Sequence, residues 1–594
     1  MSTLPAWAEE MRQAFRAETT SQFILHGNVN DLFPVAEGGA ACSFLSLRAY
    51  LTDVMFGGFD VVIQYDRGKG LKVARGSVYF ETFMKIVRTY RADILAQVAA
   101  GGAPDGELNL VLPADPKRAL SLVDRFIRMS ITAPRAFRPD QEGRLRIAVI
   151  IDYAAFVAPH ADPVYMSGDL SEVVLKLLDW ARDPAVTSAY IATCLITENL
   201  LDLNQNLVEN PYAAKIMLPL PDEAEIRRFI DSLTRDVSDF STICEVDRRT
   251  LAQRLVGLSR INVSHLIRLA WKNGRVITGA YLTDRKKELI EKEVFGRLEF
   301  VESPFTLDAV AGHEEAIAWL RRDAELFRRG KAGALPMGYL ICGRIGTGKT
   351  FLVECFAGEV GVPVVELKNF REKWVGATES NLERIFNILH ALGQVVVFVD
   401  EADQVTGKRG GSEGDSGLSG RIYSMLAREM SDTKNRGRIL WIFATSRPDL
   451  LEVDLKRQGR LDIHIPLFPP QNAESRRQLL AAMVRKLKLK VNPADLPELP
   501  ENAEIGGNEM EGMLIRANRL YETRSDPNQG FAELLAATAR EFRPSAHVER
   551  LRLMDLLAVK ECTDERFLPE RYKGMSLADL NTAIQEMKAR LGEM

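Results

Sequence analysis

A short apolar run, Gly338-Tyr339-Leu340-Ile341-Cys342, leads into Gly343-Arg344-Ile345-Gly346-Thr347-Gly348-Lys349-Thr350, and a helical run from Phe351 to Ala357 comes next. No other stretch limits the fold as much. The apolar run reads as a buried strand. The order strand, glycine-rich loop, helix is one unit of an α/β sheet with parallel strands. Glycines let backbone N–H groups turn inward around phosphate oxygens. The helix N-terminus behind them adds partial positive charge. Lys349 is placed to reach the β- and γ-phosphates of a nucleotide, and Thr350 to ligate Mg²⁺. A lone motif of this kind can be a chance match, so its weight depends on the residues downstream of it.

About fifty residues on comes Val395-Val396-Val397-Phe398-Val399-Asp400-Glu401. A continuous apolar run ending in two acids reads as a central parallel strand with carboxylates at its C-terminal edge. Asp400 suits Mg²⁺ or its water, and Glu401 suits the attacking water. Two exposed loop acids are the bland alternative, and the buried strand before them argues against it. A third strand, Ile439 to Ser446, ends in a polar residue suited to touch the water or the γ-phosphate. Arg457 and Arg460 come soon after, in Leu455-Lys456-Arg457-Gln458-Gly459-Arg460. Paired guanidinium groups suit a γ-phosphate whose charge is spread over its oxygens.

This set resembles the clade of AAA+ ATPases that includes the NSF-type, proteasomal and membrane-protease unfoldases. The residues that carry the resemblance are Val310-Ala311-Gly312, the phosphate loop, Asp400-Glu401, Ala444 to Asp449, and Arg457 to Arg460. It runs from about Phe305 to Tyr521 without a large gap. The resemblance implies ATP and Mg²⁺ as cofactors, with Val310, Ala311, Gly312 and Phe351 joining the loop in holding the nucleotide. It implies that Arg457 and Arg460 act on the neighbouring subunit's site, hence a homo-oligomeric ring, usually a hexamer. Surface ion pairing is the bland alternative for both arginines. Two departures stand out. The family usually has prolines where Arg344 and Ile345 stand, a change expected to be tolerated. Its sensor asparagine is Ser446 here, which is shorter and puts the hydrolysis rate, not ATP binding, in question.

Between the first two motifs, Lys373-Trp374-Val375-Gly376 resembles the first pore loop of the same family. A ring would point its copies of Trp374 at the axis, where a large flat side chain can grip an extended polypeptide without reading its sequence. Lys373 adds a donor. The alternative, Trp374 as a core residue, sits poorly with the flanking Lys373 and Gly376. A second glycine-rich stretch, Gly407 to Gly420, has the composition of a mobile loop.

The first half repeats the second in damaged form. An offset of 248 residues takes Asp400 to Asp152, Ser446 to Glu198, Pro469 to Pro221, and Leu514-Ile515-Arg516 to Leu266-Ile267-Arg268. Landmarks at one offset argue for duplication. In this copy Glu401 becomes Tyr153, and Arg457 and Arg460 become Glu209 and Tyr212. The nearest thing to a phosphate loop is Asp66-Arg67-Gly68-Lys69-Gly70, after Val61 to Tyr65, and it is too short. The expected fold is therefore α/β: two tandem AAA+ modules, each a parallel sheet between helices with a helical lid, the first module degenerate. The expected boundaries are 1–285 for the degenerate module and 286–304 for a helical, solvated linker. The active α/β subdomain is expected at 305–468, its lid at 469–540, and a helical extension packed on the lid at 541–594.

Composition removes other classes. The 594 residues exceed one core. The 77 basic and 81 acidic residues leave a net charge of -4, which gives no electrostatic case for nucleic acid. Six scattered cysteines without a CxxC pair read as reduced thiols. Neither a signal peptide nor a membrane span is expected, which points to the cytoplasm. His313-Glu314-Glu315-Ala316-Ile317 begins like a zinc-protease motif but lacks the second histidine, so an ordinary helix is expected there. The C-terminal residues Arg590 to Met594 lack the hydrophobic-tyrosine ending used for docking on a proteasome. What remains is a protein-remodelling motor with a protein substrate or adaptor, or alternatively a slowly hydrolysing, ATP-switched scaffold.

Overall fold

The computed structural model describes residues 4–18, 20–36, 42–96, 112–138, 143–161, 166–235, 240–293, 297–368, 377–406, 416–489, 491–492, 496–498, 505–524, 526, 528–543 and 547–592. The candidate pore residues Lys373, Trp374, Val375 and Gly376 lie outside them, as do 407–415. Of the second glycine-rich stretch, 416–420 belongs to the helix Ser416–Ser431 rather than to a loop. The chain divides into two compact units: Met1–Leu289 with Glu379–Ala391, and Ile290–Thr378 with Leu392–Met594.

The first unit is built on β1 (Gln22–Gly27), β4 (Val61–Asp66), β5 (Gly70–Arg75), β6 (Ile147–Ile151), β7 (Ile191–Ile196) and β8 (Ala213–Leu218), with β2 (Leu32–Ala36) and β3 (Cys42–Ser46) in a separate hairpin. The large sheet runs β5-β4-β6-β7-β1-β8. Only β5 is antiparallel to its neighbour. The reason for the parallel centre is in the residues. Every residue of β6 and β7 is buried, and β-branched runs covered on both faces form such strands. Helices Glu223–Leu233, Arg248–Leu255 and Arg260–Lys272 come after the sheet. The first starts at a capping box between Asp222 and Glu225.

The second unit repeats the plan. Its strands are β9 (Leu298–Phe300), β10 (Gly338–Cys342), β11 (Val364–Leu367), β12 (Val395–Val399), β13 (Ile439–Thr445) and β14 (Ile463–Pro466). The order is β14-β10-β13-β12-β11-β9, and only β9 is antiparallel. β10, β12 and β13 are buried throughout. Each fully buried Val, Ile or Phe adds about 1.5–3 kcal/mol of burial. Helices Ala473–Lys486, Gly507–Glu522 and Phe531–Glu541 surround their own core of Leu480, Val484, Met510, Met513 and Leu514.

The two orders match strand for strand, and β6, β7 and β8 sit at the offset of 248 from β12, β13 and β14. The counterpart of β10 is β1, however, so the phosphate-loop position of the first unit comes just after Gly27. The segment Asp66–Gly70 is instead the turn of the β4–β5 hairpin, where Asp66 Oδ1 accepts the N–H groups of Gly68 and Lys69 at 3.0 and 2.6 Å. The stretch expected as a helical linker also holds β9, paired with β11. The preceding helix Gly279–Glu293 is not solvated throughout, since Ile290 is buried and burial pulls Lys286 down to about 8. The C-terminal helices Val548–Glu561 and Leu577–Leu591 pack with Phe468 beside β14, not within the lid core.

Candidate nucleotide site

Register brings the sequence motifs to one edge of the second sheet. Cys342 is paired with Thr445, and Val399 with Phe443. The residues just beyond these strand ends, Gly343, Ser446 and Asp400, therefore share one rim, where open α/β sheets bind ligands.

The loop geometry comes from its glycines. Gly343 has φ 148°, and a Cβ there would lie 2.2 Å from the Leu467 carbonyl oxygen. No other residue fits. Gly348, at φ 86°, caps the helix Lys349–Val360. Thr347 Oγ1 donates to the Arg344 carbonyl at 2.9 Å. Lys349 Nζ donates to the carbonyls of Gly343 and Arg344 at 2.8 and 3.0 Å. Burial lowers the Lys349 pKa, while the carboxylates of Asp400, Asp403 and Asp555 act in the opposite direction. Ile345 is exposed, but Arg344 is turned inward and buried.

Thr350 Oγ1 donates to Asp400 Oδ2 at 2.8 Å. A hydroxyl beside a carboxylate is a hard-oxygen pair, the donor type Mg²⁺ takes. Glu401 has φ 46° and its N–H donates to Asp400 Oδ1 at 2.8 Å. That left-handed backbone is uncommon for a glutamate. It leaves the Glu401 side chain exposed at the strand end. Ser446 is half-buried. Its neighbour Thr445 donates its hydroxyl to Asp403 Oδ1 at 2.5 Å and accepts the Arg447 N–H at 3.0 Å.

Arg457 and Arg460 are not brought to this rim, and their contacts are local. Arg457 Nη1 lies 3.0 Å from Asp454 Oδ1, and Arg460 Nη1 donates to the Asp454 carbonyl at 2.6 Å. Arg457 is 70% exposed.

Beside the loop lies a cleft of about 290 Å³ lined by Val310, Ala311, Gly312, Gly346 and Phe351. Sequence reasoning misses its other wall: Met483, Lys486, Asn508 and Glu511 from the lid, and Arg566 to Pro569 from the C-terminal extension. Gly507 N–H donates to the Gly346 carbonyl at 2.8 Å, so the lid touches the loop directly. His313 also lines the cleft. It is not inside a helix but precedes one, at φ 61°, and burial pushes its pKa down to about 4. The His-Glu-Glu spelling is the only hint of it in the sequence, and it points to another chemistry.

In the first unit, the equivalent rim keeps its frame. Gly27 has φ 90°, and a Cβ there would lie 2.8 Å from the Leu218 carbonyl oxygen, as Gly343 does against Leu467. Tyr153 has φ 51° and its N–H donates to Asp152 Oδ1 at 3.0 Å, as Glu401 does to Asp400. Facing Asp152 is Arg48, whose Nε donates to Asp152 Oδ2 at 2.9 Å and whose Nη2 donates to Asp66 Oδ2 at 3.1 Å.

Three family models match the chain. The AAA+ chaperone N-terminal Rossmann-like domain matches 1–219, and the AAA+ chaperone second helical domain matches 224–295. The ATPase family associated with various cellular activities (AAA) matches 339–468. Among curated relatives, the Cell division cycle protein 48 homolog of Archaeoglobus fulgidus is 32% identical over 35% of this chain and 28% of its own length. The ATP-dependent zinc metalloprotease FtsH 1 of Salinibacter ruber is 33% identical over 41% of this chain and 38% of its own. The peroxisomal ATPase pex6 of Schizosaccharomyces pombe is 26% identical over 71% of this chain and 46% of its own. The chain thus spans less than half the length of each of these relatives. It belongs to the AAA+ ATPases. Among the described residues no helix is long and apolar enough to cross a membrane.

Proposed function

We propose that this chain is one subunit of an ATP-driven ring motor that remodels, unfolds or disassembles a protein substrate or complex. ATP is bound and hydrolysed in 305–468 under the lid 469–540. The module 1–285 serves assembly or partner docking. The observation that carries this reading is the Thr350–Asp400 contact beside Lys349. It supplies hydroxyl, carboxylate and ammonium groups where a triphosphate and its metal need them.

In this reading Lys349 leaves the carbonyls of Gly343 and Arg344 for the β- and γ-phosphates. Thr350 and Asp400 hold Mg²⁺, which neutralises phosphate charge. Glu401 orients and polarises the attacking water, with Ser446 alongside. The cleft at Val310, Ala311, Gly312 and Phe351 takes the nucleoside. Arg457, exposed, and Arg460, half-buried, both away from their own rim, serve the next subunit of a hexameric ring. Glu401→Gln keeps size but removes charge. ATP binding should persist while turnover falls about 10²-fold or more. Turnover at the wild-type rate would overturn the assignment.

A scaffold that switches on ATP with little turnover is the second reading, favoured by Ser446 in place of a longer asparagine. Trp374 separates the two. In a motor, Trp374→Ala leaves basal ATPase within about threefold, since the indole is unnecessary for hydrolysis, but ends work on a protein substrate. If Trp374 were a core residue, the change would cost about 3–5 kcal/mol and unfold the chain, which circular dichroism reads first. A folded variant that still remodels at the normal rate favours the scaffold.

A further inference from the structure

The C-terminal extension, to which the sequence assigns no function, reaches the phosphate loop from behind. Arg344, the second loop residue, turns away from the cleft, with 2% of its side chain exposed. Its Nη1 lies 3.6 Å from Oδ2 of Asp555, which is 1% exposed. Arg571 Nη2 lies 3.9 Å from the same oxygen. Asp555 sits within the helix Val548–Glu561 among Leu553, Met554, Leu556 and Leu557, all buried.

That helix is fixed against the sheet along its length. One turn on from Asp555, the Ala558 carbonyl lies 3.9 Å from Cys342 Sγ at the end of β10. At the helix end, Glu561 Oε1 accepts from Lys456 Nζ at 2.6 Å. His464 Nδ1 and Nε2 lie 2.8 and 3.0 Å from the carbonyl oxygens of Glu561 and Leu461, and the neutral ring donates to one of them. Asp555 is therefore a fixed point, not a side chain on a loose tail.

A buried ion pair is poorly explained by stability alone, because apolar residues of similar volume serve as well or better. Position explains it. The Arg344 carbonyl receives both Lys349 Nζ and Thr347 Oγ1. Anchoring the Arg344 side chain fixes the peptide on which the loop lysine rests. We propose that Asp555 is a positioning residue for the ATP site: by holding Arg344 it sets the phosphate loop, and the C-terminal extension is thereby a working part of the ATPase unit. This rests on the reading of Gly343 to Thr350 as the phosphate site.

The test uses the full chain, with Mg·ATP affinity by calorimetry, KM and kcat for ATP, and unfolding without nucleotide. Asp555→Asn keeps shape and removes charge. Affinity should fall about tenfold or more, with KM rising in step, as when a group that orients a ligand-binding residue is lost. Asp555→Glu should recover part of the affinity. The pair Arg344→Met with Asp555→Leu refills the space without charge. It should unfold at the wild-type temperature or above and still bind ATP weakly, which separates positioning from fold stability. Wild-type affinity and KM in folded Asp555→Asn, or in the Met–Leu pair, would overturn the proposal. Lys349→Ala is the control: if it binds ATP normally, the phosphate-site reading itself fails. If it loses binding while Asp555→Asn does not, only the positioning role fails.

Discussion

At the rim of each sheet an aspartate ends a buried strand, and the next residue turns into the left-handed region to donate its N–H back to that aspartate. The two rims differ in what faces the carboxylate. In the second unit it is the Thr350 hydroxyl, beside a lysine resting on carbonyls. In the first it is the Arg48 guanidinium, shared with Asp66. A cation belonging to the chain holds Asp152, whereas in the proposed reading Asp400 takes one from solution. The comparison teaches why the aspartate outlasts the chemistry. A carboxylate with 20% exposure needs a counter-charge, and Arg48 provides one without a phosphate loop. Gly27 survives for a similar reason, since backbone crowding against Leu218 excludes a Cβ whatever the loop binds.

The largest effect that could break this contrast is nucleotide binding by the first unit. Ligand at about 100 Kd stabilises its site by roughly 2.7 kcal/mol. The wild-type chain should show that shift with Mg·ATP, and Lys349→Ala should show none. If Lys349→Ala keeps a shift and a photoreactive ATP analogue labels peptides of 1–285 rather than of 305–468, the first unit holds a second nucleotide site and the comparison ends.

Removing the internal cation is the next test. Arg48→Met leaves Asp66 and Asp152 side by side without their counter-ion. Breaking a fully buried pair costs about 3–5 kcal/mol. With a quarter of the Arg48 side chain exposed, the loss should be on the order of 2 kcal/mol, read as a lowered midpoint in urea. Adding Asp152→Asn should recover part of it. An Arg48→Met chain as stable as wild type would show that the ion pair is idle. One that gains Mg²⁺-dependent stability would show that Asp66 and Asp152 take a metal once Arg48 is removed.

Much of this is legible in the sequence, and the reasons differ by region. β6 and β12 announce themselves because strands buried on both faces are uninterrupted apolar runs, and the acids after them have no packing role. The repeat is visible from Asp152 onward because spacing is preserved there. Before Asp152 the spacing misleads. The hairpin of β2 and β3 comes after β1, so the true counterpart of β10 lies at Gln22–Gly27, outside the shared offset. With its loop glycines reduced to Gly27, nothing local marks it. Arg344 and Asp555 are separated by most of the second unit. Neither residue type suggests burial, so their pairing could come only from the fold. The cleft wall at Arg566 to Pro569 is hidden for the same reason.

The smallest expected effect concerns the position where the units differ by one polar residue, Ser446 against Glu198. Glu198 Oε1 accepts from Asn30 Nδ2 at 2.7 Å, so in the first unit the position is spent on holding the segment after β1. In the second, Ser446 stands next to Gly343 in register and is half-buried. In the proposed reading a side chain there reaches across to the water that Glu401 orients, and serine is short for that. Ser446→Asn lengthens the reach and keeps a donor. Turnover should rise about three- to tenfold, which is about 0.7–1.4 kcal/mol of barrier, with ATP affinity unchanged. Ser446→Ala should lower turnover by a similar factor. If both variants turn over at the wild-type rate, the contact with the water passes to the Thr445–Asp403 pair. Thr445 sits one residue back at the end of β13 and is joined at 2.5 Å to Asp403 of the helix Ala402–Thr406. Thr445→Val would then carry the loss predicted for Ser446→Ala, and the two units would differ in the partner of this threonine, the Asp403 carboxylate for Thr445 and the Asn199 carbonyl for Thr197.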